Sequence, residues 1–259
     1  MIADLEDAVA PERKEVARRE VLALLERHDP SGHEVELHIR INALDTPAGH
    51  DDLSALRESR HLPKVDVIRL PKAETAEQVT RVHRDLGPSA PGLHVLIESA
   101  AGLERISEIV RAPGVVAVSL GEGDLSAEVG ISSGDEAFDW FRIHAVTAAA
   151  AAGLPAPSMS PFGNLDDDTG LRRTCDQGRR LGMRGRAAIH PRQLAIIAES
   201  FAPTSDEVDR ARRILNEAEG DTGAQRLPDG TFIDHAVVRA ARHTLRWNEA
   251  SSPPNKDAS

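Results

Sequence analysis

The sequence predicts an α/β fold of parallel strands joined by crossover helices, and three observations predict it. Short runs rich in Val, Ile and Leu alternate with longer stretches that carry helix signals, making about seven such units. The runs are near-continuously apolar, as strands covered on both faces are. The length of 259 residues suits a closed (β/α)8 TIM barrel, which takes roughly 250 residues. An open doubly wound sheet is the alternative, weakened because no G-x-G-x-x-G follows the first apolar run.

The runs are MIADL (1–5), EVELHIRI (34–41), VDVIRL (65–70), LHVLIES (93–99), VVAVSL (115–120), LPAPSM (154–159) and AAIHP (187–191). After the first comes APERKEVARREVLALLERH, where Pro11 suits a first helical turn and Val16, Leu22 and Leu25 recur at helical intervals. ETAEQVTRVHRDLG and TGLRRTCDQGRRLG both end on glycine, as helices often do. A barrel core is expected over 1–203 and a helical extension over 204–247. In the extension, SDEVDRARRILNEAEG (205–220) reads as a helix, followed by a turn around Pro228–Gly230 and a last helix. The tail 248–259, polar and rich in Pro and Ser, reads as disordered.

Lys and Arg number 31 against 42 Asp and Glu, a net charge of −11. That excludes the basic footprint which nucleic acid or an anionic membrane surface requires. Aromatics are 3% and Tyr is absent, so base-stacking platforms are scarce. Cys175 stands alone, which fits a reducing compartment. No apolar run approaches the ~18 residues of a membrane span, and the N-terminus lacks signal-peptide order. The expected location is cytoplasmic.

In a parallel barrel the chemistry sits where strands end. Here the strand exits carry Glu6 and Asp7, Arg40 and Asn42, Lys72, Glu98, Glu122 and Asp124, and His190. Glu98 and Asp124 leave consecutive strands, so their carboxylates are expected side by side. Like charges so placed call for a shared proton or a cation. A hard ion such as Mg²⁺, with Mn²⁺ as the alternative, takes one or two carboxylates and fills its shell with water and substrate oxygens. Capping of the following helix is the competing reading for Asp124. Arg40 suits bidentate grip of a carboxylate, with a bridge to Glu6 or Asp7 as the competing or concurrent role. Lys72 divides between substrate contact and structure. A Schiff-base role is redundant beside a metal. Gly121 and Gly123 let backbone N–H groups approach an anion, or simply make a turn. His190, before Pro191, is a candidate general base or helix-start residue, and reads as structural or supporting.

DLEDAVAPERKEVAR, RINALDTPAGHDDL, LPKAET, IESAAGL, GEGDL, GLRRTCDQGRRLGMRGRAAIHPRQL and FAPTSDEVDRARRIL follow one another in that order. Together they resemble the citrate lyase beta subunit-like family of CoA-ester lyases, within the HpcH/HpaI aldolase superfamily. The resemblance implies a Mg²⁺-dependent barrel that cleaves or forms a carbon–carbon bond in a 3-hydroxy-3-carboxy acyl thioester such as malyl-, citramalyl- or citryl-CoA. It implies Glu98 and Asp124 as metal ligands, and Arg40 as the group holding substrate oxygen and enolate. Glu6 and Asp7 would orient Arg40 and the metal's water shell. Asp234, in GTFIDHAV, would reach a neighbouring subunit's site as acid or base, in a homotrimer or larger assembly. Without the resemblance Asp234 reads as a helix cap.

In that family DLEDAV ends the second strand. The chain is therefore expected to start inside its barrel, lacking a first β/α unit of ~40 residues. It is read as a shortened gene model or fragment, or as a short paralogue. Glu122 departs from many relatives and is a candidate for an extra metal or water contact. The competing functions are a 2-keto-3-deoxy acid aldolase, and a non-catalytic or acyl-carrier-dependent subunit of a lyase complex.

Overall fold

The computed structural model describes residues 1–29, 35–218, 225–226, 230 and 232–251. The turn residues 228–229 and residues 252–259 of the expected tail lie outside these, whereas 248–251, read as disordered, belong to the last helix, His235–Ser251. The chain divides into two compact units, 1–163 with 177–189, and 164–176 with 190–259.

The first unit is built on β1 (Ile2–Asp4), β2 (His38–Arg40), β3 (Val67–Leu70), β4 (Gly92–Ile97) and β5 (Val115–Leu120). They form one sheet in sequence order, every pair parallel. Its helices are α1 (Lys14–Arg27), α2 (Pro47–Glu58), α3 (Ala76–Leu86), α4 (Ala100–Glu104), α5 (Ile106–Ile109), α6 (Glu122–Val129) and α7 (Asp139–Ala151). Helix α8 (Asp168–Arg180) follows. Thr46 caps α2 through Gly49 N, and Thr75 with Gln78 makes a full capping box on α3.

Strand alternation splits the sheet chemically. Leu5, Ile39, Ile41, Ile68, Leu70, Val95, Ile97, Val118 and Leu120 join the buried apolar core with α1, α2, α3 and α7. The other face carries Asp4, Arg40, Arg69 and His94 in one row of register. β3 and nearly all of β4 are thus buried on both faces, as the apolar runs predicted, whereas β1 has no buried residue and β5 is buried only over its second half.

The expected strands at 154–159 and 187–191 shrink to a single parallel bridge, Met159 to Arg186. Pro155 and Pro157 lack the N–H that a ladder needs. Side chains tie this segment to β5 instead: Ser160 Oγ donates to Leu120 O at 2.7 Å, and Ser119 and Ser158 hydroxyls meet at 3.2 Å.

The second unit contains α9 (Gln193–Phe201), α10 (Ser205–Ala218), a short antiparallel pair β6 (Gln225–Arg226) and β7 (Phe232–Ile233), and α11 (His235–Ser251). Ala211, Ile214, Ile233 and Ala241 form its own small core.

Candidate active site

The site forms where β1 to β5 end. On β1, Asp4 Oδ1 accepts from Arg40 Nε at 2.8 Å, and Asp4 Oδ2 from Arg40 Nη2 at 2.5 Å. Arg40 Nη1 also lies 3.0 Å from Glu6 Oε2 and 3.9 Å from Asp7. Arg40 therefore serves three acids at once. Asp4 as its main partner was missed from sequence, although it shares a strand face with Glu6 by simple alternation.

Glu6 is buried, and neither of its oxygens receives an aligned hydrogen bond despite the ion pair. Burial pushes its carboxyl up to about 7, against the pull of Arg40. The backbone that presents it is clamped. Lys14 Nζ donates to Leu5 O and Glu6 O at 2.9 and 2.7 Å, and Asn42 Nδ2 donates to Leu5 O at 2.9 Å. Asn42 is held in turn by fully buried Asp52, which Arg18 also grips at 2.7 Å. A cavity of about 900 Å³ lies over this cluster, between α1 and α2.

Glu98 follows β4 and is 6% exposed, and its Oε2 has no partner. Burial, then the charges of Glu6 and Asp124, push its carboxyl up to about 8. Asp124 stands in the first turn of α6, half exposed, with Lys72 Nζ 3.9 Å away. Gly121, not Asp124, occupies the cap position of α6, with no side-chain cap bond. Glu98, Asp124 and Lys72 line one cavity of about 400 Å³ with Asp45, Glu74 and Glu128.

Lys72 has φ 51, the left-handed region that few non-glycine residues enter. Gly121 is required by packing: a Cβ there would come within 2.5 Å of Glu98 Cγ. A Cβ at Gly123 would meet nothing within 4 Å, so the two glycines are not equivalent.

Glu122 turns away from the pair. Its carboxylate takes Arg142 Nε and Nη2 at 2.9 and 2.6 Å, both side chains buried. Arg142 further donates to Asp139 and to Ser133 O, each at 2.7 Å. This network braces the turn that presents Asp124; no sequence motif links Glu122 to a helix residue 20 positions on. In the second unit, exposed Asp234 accepts from Ala236 N and Val237 N at 2.9 Å, capping α11. His190 is exposed, its Nδ1 accepting from Arg192 N at 3.2 Å.

Among the described residues no three His, Cys, Asp or Glu side chains gather into a metal cage. The Glu98–Asp124 pair still fits a hard cation, which needs only one or two carboxylates. Burial first, then the charges of Glu6 and Asp124, raise the Glu98 carboxyl; a cation would relieve that repulsion and give the orphaned Oε2 a partner.

The family model described as HpcH/HpaI aldolase/citrate lyase matches residues 1–191. The chain belongs to this family. Among HpcH/HpaI relatives, it is 33% identical to an L-malyl-CoA/beta-methylmalyl-CoA lyase of Rhodobacter capsulatus, over 95% of this chain and 86% of that one. It is 34% identical to a (3S)-malyl-CoA thioesterase of Cereibacter sphaeroides, over 96% and 86%. Among solved structures it resembles the protein CitE of Mycobacterium tuberculosis in complex with magnesium, acetoacetate and coenzyme A. That match has a TM-score of 0.78 and 28% identity, covering 96% of this chain and 89% of that one. Among the described residues no helix is long and apolar enough to cross a membrane.

Proposed function

We propose that this chain is a Mg²⁺-dependent carbon–carbon lyase. Its substrate would be a 3-hydroxy-3-carboxy acyl-CoA thioester of the malyl, citramalyl or citryl kind, and its products acetyl-CoA or a homologue and a 2-oxoacid. The observation that carries the reading is the buried, unpartnered Glu98 carboxylate set beside Asp124 over one cavity. The lyase relative and the CitE complex support the reaction class.

Glu98 and Asp124 would hold the cation, which supplies Lewis acidity and a template for the substrate's carboxylate and hydroxyl. Arg40, fixed by Asp4 and Glu6, is assigned the thioester enolate, whose charge develops as the bond breaks. Glu6 and Asp7 orient Arg40 and bind nearby water. Lys72 screens Asp124 and contacts substrate oxygen, and the backbone at Gly121 and Gly123 faces the anion. Asp234 of a neighbouring copy is assigned the proton delivered to the enolate carbon, in a homotrimer or larger assembly.

The test is incubation of the purified chain with Mg²⁺ and malyl-, citramalyl- and citryl-CoA, following both acetyl-CoA and free CoA. Acetyl-CoA release that Asp124→Asn and EDTA both abolish supports the lyase. Free CoA without acetyl-CoA would mean thioester hydrolysis, the activity named for the Cereibacter relative. Turnover only of a carrier-bound thioester would point to a carrier-dependent subunit.

A further inference from the structure

Arg69 stands on β3 between Arg40 and His94 in the same row of register. It is 9% exposed. Three other shielded guanidiniums of this unit have their acids: Arg40 has Asp4, Arg142 has Glu122, and Arg18 has Asp52. Among the described residues Arg69 alone of these donates no side-chain hydrogen bond and enters no ion pair.

A cation taken out of water without a counter-ion is strongly disfavoured. The charges that reach Arg69 are those of Arg40, Asp4 and Glu98. Arg40 repels it. Asp4 is spent on Arg40, and Glu98 faces the cavity with Asp124. His94 offers no charge, because burial and then Arg69 itself keep its imidazole neutral, and its Nε2 meets Ser119 Oγ at 2.9 Å. Burial and Arg40 lower Arg69 only to about 10, so it stays charged at neutral pH.

We propose that Arg69 is a carboxylate-binding residue of this site, its guanidinium taking a substrate carboxylate as the counter-ion that the chain does not supply. The planar fork suits a two-point grip. This rests on the function proposed above: one substrate carboxylate belongs at the cation that Glu98 and Asp124 would hold, and Arg69 favours acyl groups that bring another.

The test needs neither metal nor turnover. Malonate and acetate are titrated calorimetrically into the full chain in EDTA, as wild type, Arg69→Met and Arg69→Lys, and each protein is melted. Wild type is expected to bind malonate more tightly than acetate. Arg69→Met weakens malonate at least tenfold and melts no lower than wild type, because an unpaired buried charge has gone. Arg69→Lys, which keeps the charge but not the fork, falls between. Equal malonate affinity in wild type and Arg69→Met overturns the proposal, as does wild type that binds no malonate. A chain that binds malonate through Arg69 yet shows no lyase activity would sink the assigned reaction and leave Arg69's role standing.

Discussion

Asp4 and Arg40 face each other in register across the β1–β2 pair and are joined by two hydrogen bonds, Nε to Oδ1 and Nη2 to Oδ2. The fork is therefore held in plane, with Nη1 left to Glu6. Asp4→Asn replaces one of the two acceptor oxygens by an NH2 donor and leaves a half-buried cation short of charge. The expected loss is about 2 kcal/mol in urea unfolding, with turnover down roughly 10- to 100-fold. Unchanged stability would show that Glu6 alone suffices.

Glu98 and Glu6 are raised to about 8 and about 7 from an ordinary 4.5. A carboxyl raised in the folded state binds more protons there than when unfolded. Its contribution is complete below pH 4.5 and is lost as pH climbs through the folded values. In EDTA, stability should therefore fall between about pH 5 and pH 8, and Glu98→Gln should flatten the fall. Mg²⁺ affinity should rise over the same window, because binding displaces a proton. A metal-free curve flat across that window would count against a protonated Glu98.

Gly121→Ala forces a Cβ against the Glu98 carboxylate, whereas Gly123→Ala meets open space in a helix. The first should weaken Mg²⁺ binding at least tenfold by calorimetry. The second should leave binding intact and melt at or slightly above wild type, since alanine favours helix. Equal losses at both positions would mean that backbone freedom, not room for Glu98, is what matters.

Arg142→Met strands the buried Glu122 carboxylate and should cost about 3–5 kcal/mol in chemical denaturation. The double variant with Glu122→Leu should recover part of that loss. If the single variant is mild, Asp139 and Glu122 are being solvated by other means.

Asp234 gives a clean separation of roles. Asn caps helices as Asp does, so Asp234→Asn should keep the melting temperature and lower turnover if the carboxyl moves a proton. Asp234→Ala should lose about 1 kcal/mol of cap stability as well. Full activity in Asp234→Asn would leave the residue as a cap alone.

The strand exits were legible because a parallel α/β chain puts its polar ends on one rim. Arg40, Lys72, Glu98 and Asp124 could be picked out without knowing any contact. Register was not legible. Whether Arg40 would meet Asp4, Glu6 or Asp7 depends on a one-residue choice of pairing that the apolar runs do not fix. Arg69 looked like one residue of a hydrophobic strand, since its lack of an acid shows only in three dimensions. The expectation that Glu122 contacts the metal arises because its helix partner, Arg142, lies beyond any local motif. The proline-rich run before Met159 has strand-like hydrophobicity, but its missing donors leave one bridge where a ladder was expected.

Lys72 holds a backbone shape that glycine would adopt freely and that costs lysine about 1–2 kcal/mol. Anyone redesigning this chain for heat resistance would be drawn to Lys72→Gly early. The sturdier product would have surrendered the amine that faces Asp124, so a stability screen run without an activity screen would select against the catalyst.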